Sequence, residues 1–201
     1  AYLACVAFVD EQVGKIMEAL DKSAFKDNTI IVFTSDHGWQ MGEKNYLFKN
    51  SPWEESTRIP MIIKTPETTP GLKIEQPVSL IDLFPTLIDL CDLEGKNKKN
   101  PKGGDLGGFS LKPLLENKQK NWKGPNGALT VVGNYGIKIP IEKQNFSYRT
   151  KNWRYIKYSN GQEELYNHQV DAYEVNNVAS DSMYTNIKKK LINEINAILN
   201  K

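Results

Sequence analysis

The sequence contains little cysteine. Among its 201 residues there are two cysteines, Cys5 and Cys91, and each lies within an apolar helical pattern. Neither belongs to a CxxC motif or to a cysteine–histidine cluster. Because a free cysteine is among the most buried residue types, we expect both side chains in the hydrophobic core, rather than in a disulfide or at a nucleophilic centre.

Excess charge of one sign and long apolar runs are also lacking. With 26 Lys+Arg against 24 Asp+Glu, the net charge of +2 gives no electrostatic case for a nucleic-acid or membrane-surface partner. No apolar run approaches the roughly 20 residues that span a bilayer. There is no signal peptide, but the chain begins at Ala1 in helix-like sequence without a methionine. We therefore expect the numbering to start inside a longer polypeptide. Whether a signal sequence precedes it stays an open question.

Apolar residues nevertheless recur at regular spacing in the first part of the chain. They repeat at three- and four-residue steps over residues 2–21, which predicts an amphipathic helix. A β-branched run over residues 29–33 predicts a strand after it. A helix followed by a strand is half of a parallel crossover unit, so we expect α/β architecture. Further on, a turn is predicted at 79–84, followed by a helix with Pro85 near its first turn.

The pattern changes to short strands after residue 127. The predicted strands are 129–132, 146–149, 153–158 and 164–166, and Ser159-Asn160-Gly161-Gln162 is typical of a hairpin turn. Helical spacing returns over residues 181–199, behind a Ser180/Asp181 cap. We therefore predict two domains: an α/β core over 1–127, and a small antiparallel sheet with a covering helix over 128–201.

The first predicted strand ends abruptly in Ser35-Asp36-His37-Gly38. Such a run predicts a buried strand that delivers a carboxylate and an imidazole to its C-terminal tip, where open α/β sheets bind ligands. A second buried strand is predicted over 61–64, after Arg58-Ile59-Pro60. The loop between the two strands must therefore cross the strand tips, and it contains Lys49.

Adjacent Asp36 and His37 would point to opposite faces of an extended strand. They can share one metal ion only if the chain turns there, which Gly38 makes easy. The alternative is that Asp36 caps the following turn and that His37 is a surface residue. Lys49 is by spacing alone a solvated side chain. A sulfate or phosphate about 4 Å from it would be attracted by about 4 kcal/mol at an effective dielectric near 20.

Other single residues suggest weaker hypotheses. Trp39 and Tyr46 could stack on a sugar ring or pack the loop itself. Arg58 is predicted to form a structural pair with a neighbouring glutamate, and His168 is predicted to lie at the surface. A glycine-rich stretch over 95–108 could bind a polyanion or be a solvated loop; its basic residues are Lys96, Lys98, Lys99 and Lys102.

Several motifs in order resemble a known enzyme family. The stretch 34–43, then Lys49, and then Glu55-Ser56-Thr57-Arg58-Ile59-Pro60 resembles the second metal-and-sulfate segment of the type I, formylglycine-dependent sulfatases. Residues 2–10 resemble the helix before that segment. Matches to later landmarks of the family lie at residues 80–87, 108–111, 148–150, 154–155 and 164–167.

This resemblance implies a fold, a cofactor and a set of site residues. The fold would be alkaline-phosphatase/sulfatase-like, with this chain forming the C-terminal part of the large mixed-sheet domain and a small C-terminal subdomain. Asp36 and His37 would bind a calcium ion, and Lys49 would contact the sulfate. Calcium prefers oxygen ligands, so His37 would bind it at some cost or form a hydrogen bond instead.

The family's nucleophile motif, Cys/Ser-x-Pro-x-Arg, is missing around Cys5 and Cys91. The resemblance therefore implies a formylglycine in an N-terminal part of the same protein, a sulfated carbohydrate substrate, a secreted or periplasmic location, and no sulfatase activity for this chain alone.

Two alternatives to the sulfatase hypothesis stay open. One is a non-catalytic fragment that binds anionic glycans or has a structural role. The other is a phosphodiesterase-type relative from the same superfamily. Such enzymes generally add His-rich ligands for two metal ions, and the presence of only two histidines, His37 and His168, argues against this alternative.

Overall fold

The computed structural model describes residues 1–67, 71–93, 107–133 and 139–200. The lysine-rich stretch around Lys96 therefore lies outside the described residues. The chain divides into two compact units, one formed by Ala1–Thr34 with Met61–Pro70 and the other by Ser35–Pro60 with Gly71–Lys201. The predicted domain boundary between residues 127 and 128 stays a prediction.

The described residues form both α-helices and β-strands. The α-helices are α1 Tyr2–Asp21, α2 Glu54–Thr57, α3 Leu83–Leu90, α4 Lys112–Leu115 and α5 Thr185–Leu199. The strands are β1 Ile31–Thr34, β2 Gln40–Met41, β3 Leu47–Phe48, β4 Met61–Lys64, β5 Gly127–Val132, β6 Asn145–Thr150, β7 Trp153–Lys157 and β8 Glu163–Asn167. Among the described ranges, no helix is both long enough and apolar enough to cross a membrane.

In the first unit, helix α1 and strands β1 and β4 form where periodicity predicts them. Among the described residues of this unit, β1 and β4 pair antiparallel, with Ile31 opposite Lys64 and Thr34 opposite Met61. The reason is geometric, because the chain re-enters β4 at the same end at which it leaves β1. A connection of this kind gives antiparallel strands.

Burial in this unit is lower than the sequence predicts. Phe33 of β1 and Ile62 of β4 remain 38% and 59% exposed, and no residue of α1 is buried. Cys5 and Cys91 are both free and exposed, so the prediction that they are core residues is wrong. An apolar helical stripe becomes core only if another element covers it. In the described part of the chain, Cys5 lies on the uncovered α1, and Cys91 follows the last residue of α3.

The second unit is built on a four-stranded antiparallel sheet in the order β5-β6-β7-β8. The predicted antiparallel sheet and covering helix are confirmed, and Asp181 caps the final helical segment by accepting from the Met183 amide at 2.9 Å. Tyr148, Tyr155 and Leu165 lie opposite one another on three adjacent strands. They pack against Leu191 and Ile195 of α5 to form the core of the unit.

The other face of the same sheet carries polar side chains. Because successive residues of a strand point to opposite faces, Ser147, Arg149, Arg154 and Tyr166 share the face away from α5. Arg154 is 1% exposed and Ser147 is 0% exposed, so another part of the chain must cover them. That covering segment contains the predicted site.

Candidate functional site

The predicted site residues lie on one loop, residues 36–58, which we call the site loop. Its first half is a small hairpin in which Gln40 pairs with Phe48 and Met41 with Leu47. The hairpin turns through left-handed backbone at Gly42 (φ 125°), Lys44 (φ 58°) and Asn45 (φ 53°). Because Gln40 lies opposite Phe48, the register brings Lys49 opposite Trp39, at the open end of the hairpin.

Asp36 and His37 form a compact arrangement at the start of the site loop. The Asp36 Oδ1 accepts a hydrogen bond from the His37 backbone N–H at 3.0 Å, and the His37 Nδ1 lies 2.7 Å from the Gly38 carbonyl oxygen. Since a carbonyl oxygen can only accept, the Nδ1 of His37 carries the proton. In the neutral imidazole this leaves the lone pair on Nε2, which lies 3.6 Å from Asp36 Oδ2.

The Asp36–His37 pair therefore offers one oxygen and one nitrogen to a common point. The Asp36 side chain is 84% exposed and that of His37 is 32% exposed, so an ion has access to both. A backbone carbonyl that fixes the imidazole through Nδ1 is the usual support for a metal-binding histidine. The donor set fits a divalent cation that receives its remaining ligands from elsewhere. It does not select calcium, because one of the two ligand atoms is nitrogen.

Gly38 fixes the direction in which the chain leaves this pair. Its N–H donates to the Ser56 carbonyl oxygen at 2.9 Å. A Cβ at this position would lie 2.0 Å from the Glu55 carbonyl oxygen and 3.0 Å from that of Arg58. Only glycine therefore allows the start of the site loop to approach its end so closely.

Lys49 and Trp39 are both accessible on the hairpin. The Lys49 side chain is exposed, and within the described ranges its ammonium takes part in no hydrogen bond or ion pair. Trp39 is 37% exposed and meets Phe48 edge to face, with ring centroids 5.8 Å apart. The site loop that begins with Asp36 and His37 therefore also carries an accessible aromatic ring, Trp39, and an accessible cation, Lys49.

Tyr46 and Arg58 have structural contacts within the site loop. The Tyr46 hydroxyl donates to the Asn50 carbonyl oxygen at 3.0 Å, and its ring lies edge to face with Trp53. The predicted structural pair of Arg58 is present, because Arg58 Nη1 lies 3.7 Å from Glu54 Oε1. Tyr46 therefore packs the loop.

A buried cluster of charges lies beneath the second half of the site loop. The Glu54 carboxylate accepts from Arg149 Nε at 3.1 Å and from Arg154 Nη2. Arg154 Nε also donates to Glu174, whose Oε1 lies 2.9 Å from His168 Nε2.

Both carboxylates of this cluster are ionised at neutral pH. Burial raises the pKa of Glu54, but the charges of Arg154 and Arg149 outweigh it and hold that pKa below its ordinary value. Burial likewise raises the pKa of Glu174, and the hydrogen bond from His168 and the charge of Arg154 together lower it below the ordinary value.

The prediction that His168 lies at the surface is wrong. Its side chain is 6% exposed and contacts Glu174, which the turn after β8 brings back to it with a left-handed backbone (φ 58°). Ligand atoms of Glu54, His168 and Glu174 lie within 4.8 Å of one another, a spacing that could suit a metal ion. Two guanidinium groups already balance the two carboxylates, however. An added cation would face their repulsion, so the chemistry of the cluster is that of an ion-pair network.

One feature of the sequence indicates this cluster, although it is not among the predicted site residues. Arg154 lies between Trp153 and Tyr155 in a strand of apolar and aromatic residues, and a charged residue on a buried strand requires a partner. Its partners, Glu54 and Glu174, lie 100 and 20 residues away. Spacing along the chain cannot identify them.

Comparison with known proteins gives a consistent set of similarities. The sulfatase family model matches residues 1–93. A protein named sulfatase from Formosa agariphila is 34% identical over 201 residues, which are 100% of this chain and 35% of that protein. The chain therefore spans about a third of the length of this curated relative.

Two solved structures are similar over nearly the whole chain. The first is described as a complex with its substrate D-glucosamine-2-N,6-O-disulfate; it has a TM-score of 0.75 and 32% identity, and the match covers 96% of this chain and 38% of that one. The second is the phosphonate monoester hydrolase of Agrobacterium radiobacter, with a TM-score of 0.82 and 26% identity, covering 97% of this chain and 40% of that one.

Proposed function

Because the chain belongs to the sulfatase family, we propose that the protein of which it forms part hydrolyses sulfate esters of carbohydrates. In this proposal Asp36 and His37 hold a divalent cation, Lys49 binds the sulfate group and Trp39 contacts the sugar. The observation that carries the proposal is the arrangement at the start of the site loop. The Gly38 carbonyl fixes the His37 proton on Nδ1, so that Nε2 and Asp36 Oδ2, 3.6 Å apart, are both available to one ion.

Each residue has a defined task in this proposal. The cation, when bound, withdraws charge from the sulfuryl oxygens. The Lys49 ammonium adds a second positive charge beside the sulfate, where negative charge grows as the ester S–O bond breaks. Since Lys49 is exposed, water and salt reduce its attraction for the substrate until the sulfate excludes them.

A sugar substrate is supported by the surface around Lys49. The exposed indole of Trp39, held edge to face by Phe48, can cover the apolar face of a pyranose ring. One structural relative is described with a sulfated glucosamine as its substrate, which favours an amino-sugar sulfate. We further propose a secreted or periplasmic location, where such glycans are met.

The nucleophile is expected outside this chain, in an N-terminal part of the same protein. Neither Cys5 nor Cys91 lies in a Cys/Ser-x-Pro-x-Arg motif, and both are outside the site loop. The resemblance implies that the nucleophile is a formylglycine in that N-terminal part. The 201-residue chain alone is therefore expected to be inactive.

The test uses the full-length protein with glucosamine 6-sulfate as substrate. We expect sulfate release that EDTA abolishes and calcium restores. Replacing the metal-facing carboxylate by Asp36→Asn should lower kcat/KM by about 100-fold or more. Glu116→Gln, which alters a carboxylate of the surface pair with Lys118, is the matched control and should retain wild-type turnover. Unchanged turnover in Asp36→Asn would contradict the assigned role.

A second candidate function is hydrolysis of phosphonate monoesters. It is favoured by the similarity to the phosphonate monoester hydrolase, which has a TM-score of 0.82. A phenyl phosphonate monoester offered to the same preparation separates the two functions. Our proposal requires kcat/KM to be greater for the sulfate ester, and a preference for the phosphonate would replace it by this alternative.

A further inference from the structure

The four-stranded sheet separates two packing partners. One face holds α5 through Tyr148, Tyr155 and Leu165, whereas the other face holds the site loop. Its contacts with the site loop are polar and specific. The Ser147 hydroxyl, for example, donates to the Pro52 carbonyl oxygen at 2.6 Å, and Arg154 Nη1 donates to the same oxygen at 3.2 Å.

The first anchor of the site loop is Lys44, at the tip of its hairpin. The left-handed backbone at this residue directs the side chain back to the sheet, where Nζ donates to the Tyr166 hydroxyl at 2.8 Å. The same Nζ donates to the carbonyl oxygen of Glu174, in the turn after β8. The same ammonium lies 4.4 Å from the centre of the Tyr166 ring and 5.8 Å from that of Trp53. Lys44 thus combines hydrogen bonds with cation–π contacts.

The second anchor is Trp53 with Glu54, at the start of α2. Trp53 Nε1 donates to Glu164 Oε2 at 2.8 Å, and the Glu54 backbone N–H donates to Glu174 Oε2 at 3.0 Å. The Glu54 carboxylate completes the anchor by bonding to Arg149 and Arg154. The side chain of Glu54 is therefore fixed by the sheet, and its main chain by Glu174 in the turn after β8.

The second anchor tolerates little displacement because its charges are buried. Glu54 is 7% exposed, and Arg154 and Glu174 are each 1% exposed. A small shift of α2 that admits no water would take one carboxylate from Arg154 in a low-dielectric site. An uncompensated buried charge is strongly unfavourable, so the loop is held in one position rather than several.

The two anchors lie on either side of Lys49. Lys44 precedes it by five residues and Glu54 follows it by five. We infer that Lys44 and the Glu54–Arg154 pair are positioning residues, through which the four-stranded sheet places the Lys49 ammonium for the substrate anion. This inference rests on the proposed function for the role of Lys49 in sulfate binding, but the structural part of it can be measured without turnover.

The experiment compares two lysine variants in the full-length protein. Lys44→Met removes the anchor at the hairpin tip. Lys188→Met is the matched control, because Lys188 also binds this sheet, through Glu163 at 2.9 Å, but from α5 on the opposite face. Amide hydrogen exchange over residues 45–52 and the steady-state constants for glucosamine 6-sulfate are measured for both variants and for the wild type.

We expect faster exchange over residues 45–52 in Lys44→Met and wild-type exchange there in Lys188→Met. We also expect kcat/KM to fall by about 10- to 100-fold in Lys44→Met alone, because the Lys49 ammonium would be displaced from the sulfate. The loss should lie mainly in kcat, because Lys49 acts on charge that grows in the transition state. A purely structural role would lower the melting temperature and leave the kcat of the folded fraction unchanged.

Two exchange results would overturn the inference: wild-type exchange over residues 45–52 in Lys44→Met, or equally fast exchange in both variants. A wild-type kcat of the folded Lys44→Met protein would overturn it as well. If Lys44→Met does not fold, Glu54→Gln takes its place, with Glu163→Gln as its control, and the same two results decide. If the wild type releases no sulfate, the proposed function fails, whereas the exchange comparison still decides whether the sheet positions the loop.

Discussion

The Lys44 ammonium lies 4.4 Å from the centre of the Tyr166 ring, although the two residues are 122 positions apart in the chain. This contact joins the tip of the site loop to the last strand of the four-stranded sheet. The segment proposed to bind metal and sulfate is therefore supported by residues far away in sequence. Changes in the sheet should affect the site even where they contact neither ion nor substrate.

The first prediction concerns Arg154, which is paired with two buried carboxylates. Replacing it by Arg154→Met leaves Glu54 and Glu174 without their common partner, and we expect the free energy of unfolding to fall by about 3–5 kcal/mol. Denaturant unfolding followed by far-UV circular dichroism measures the loss. Lys151→Met, which breaks the exposed pair with Glu75, should leave the midpoint unchanged. A similar midpoint for both variants would contradict the importance of the buried network.

The second prediction is a loss of stability in acid. The pKa values of Glu54 and Glu174 are lowered in the folded protein relative to the ordinary 4.5. The stability they contribute is therefore fully present at pH values above 4.5 and disappears as the pH falls through the folded-state values. Glu54→Gln should flatten the dependence of the unfolding midpoint on pH below that value.

The exposed carboxylate of Glu75 provides the control for this acid effect. The hydrogen bond and charge of Lys151 lower its pKa too, but the group is fully exposed. In about 1 M salt its contribution should disappear by screening, whereas that of Glu54 should persist. An acid dependence that salt removes completely would show that the buried cluster does not cause it.

The third prediction concerns Gly38. A methyl group at this position would meet the Glu55 carbonyl oxygen at 2.0 Å, so Gly38→Ala must push the start of the site loop away from its end. In the full-length protein we expect a loss of about 1–3 kcal/mol in stability and weaker calcium binding by titration calorimetry. Gly14→Ala in α1, whose added methyl meets no described atom within 4 Å, should retain calcium binding. Wild-type calcium affinity in Gly38→Ala would argue against a metal site here.

Local sequence patterns predicted much of the fold. The three- and four-residue steps predicted α1 and α5, and Pro85 lies in the first turn of α3 as expected. The hairpin turn before β8 is confirmed, with Gly161 in left-handed backbone (φ 87°). The motifs also indicated the sulfatase-like fold, which the similarity to a structure with 32% identity confirms.

Features that depend on long-range partners could not be predicted. The antiparallel pairing of β1 with β4 is set by the path of the chain between them, which periodicity does not encode. The exposure of Cys5 depends on what covers α1 rather than on its apolar neighbours. His168 is buried because Glu174 turns back to it through a left-handed backbone that a glutamate rarely adopts.

The most direct test of the central proposal is the kcat/KM of the full-length protein for glucosamine 6-sulfate when Lys49 is replaced by alanine. We predict a fall of about 100- to 1,000-fold in Lys49→Ala, because an ammonium that stabilises the developing charge is lost. The exposed Lys120→Ala should match the wild type. Equal kcat/KM values for Lys49→Ala and the wild type would contradict the assignment of this loop as the sulfate-binding site.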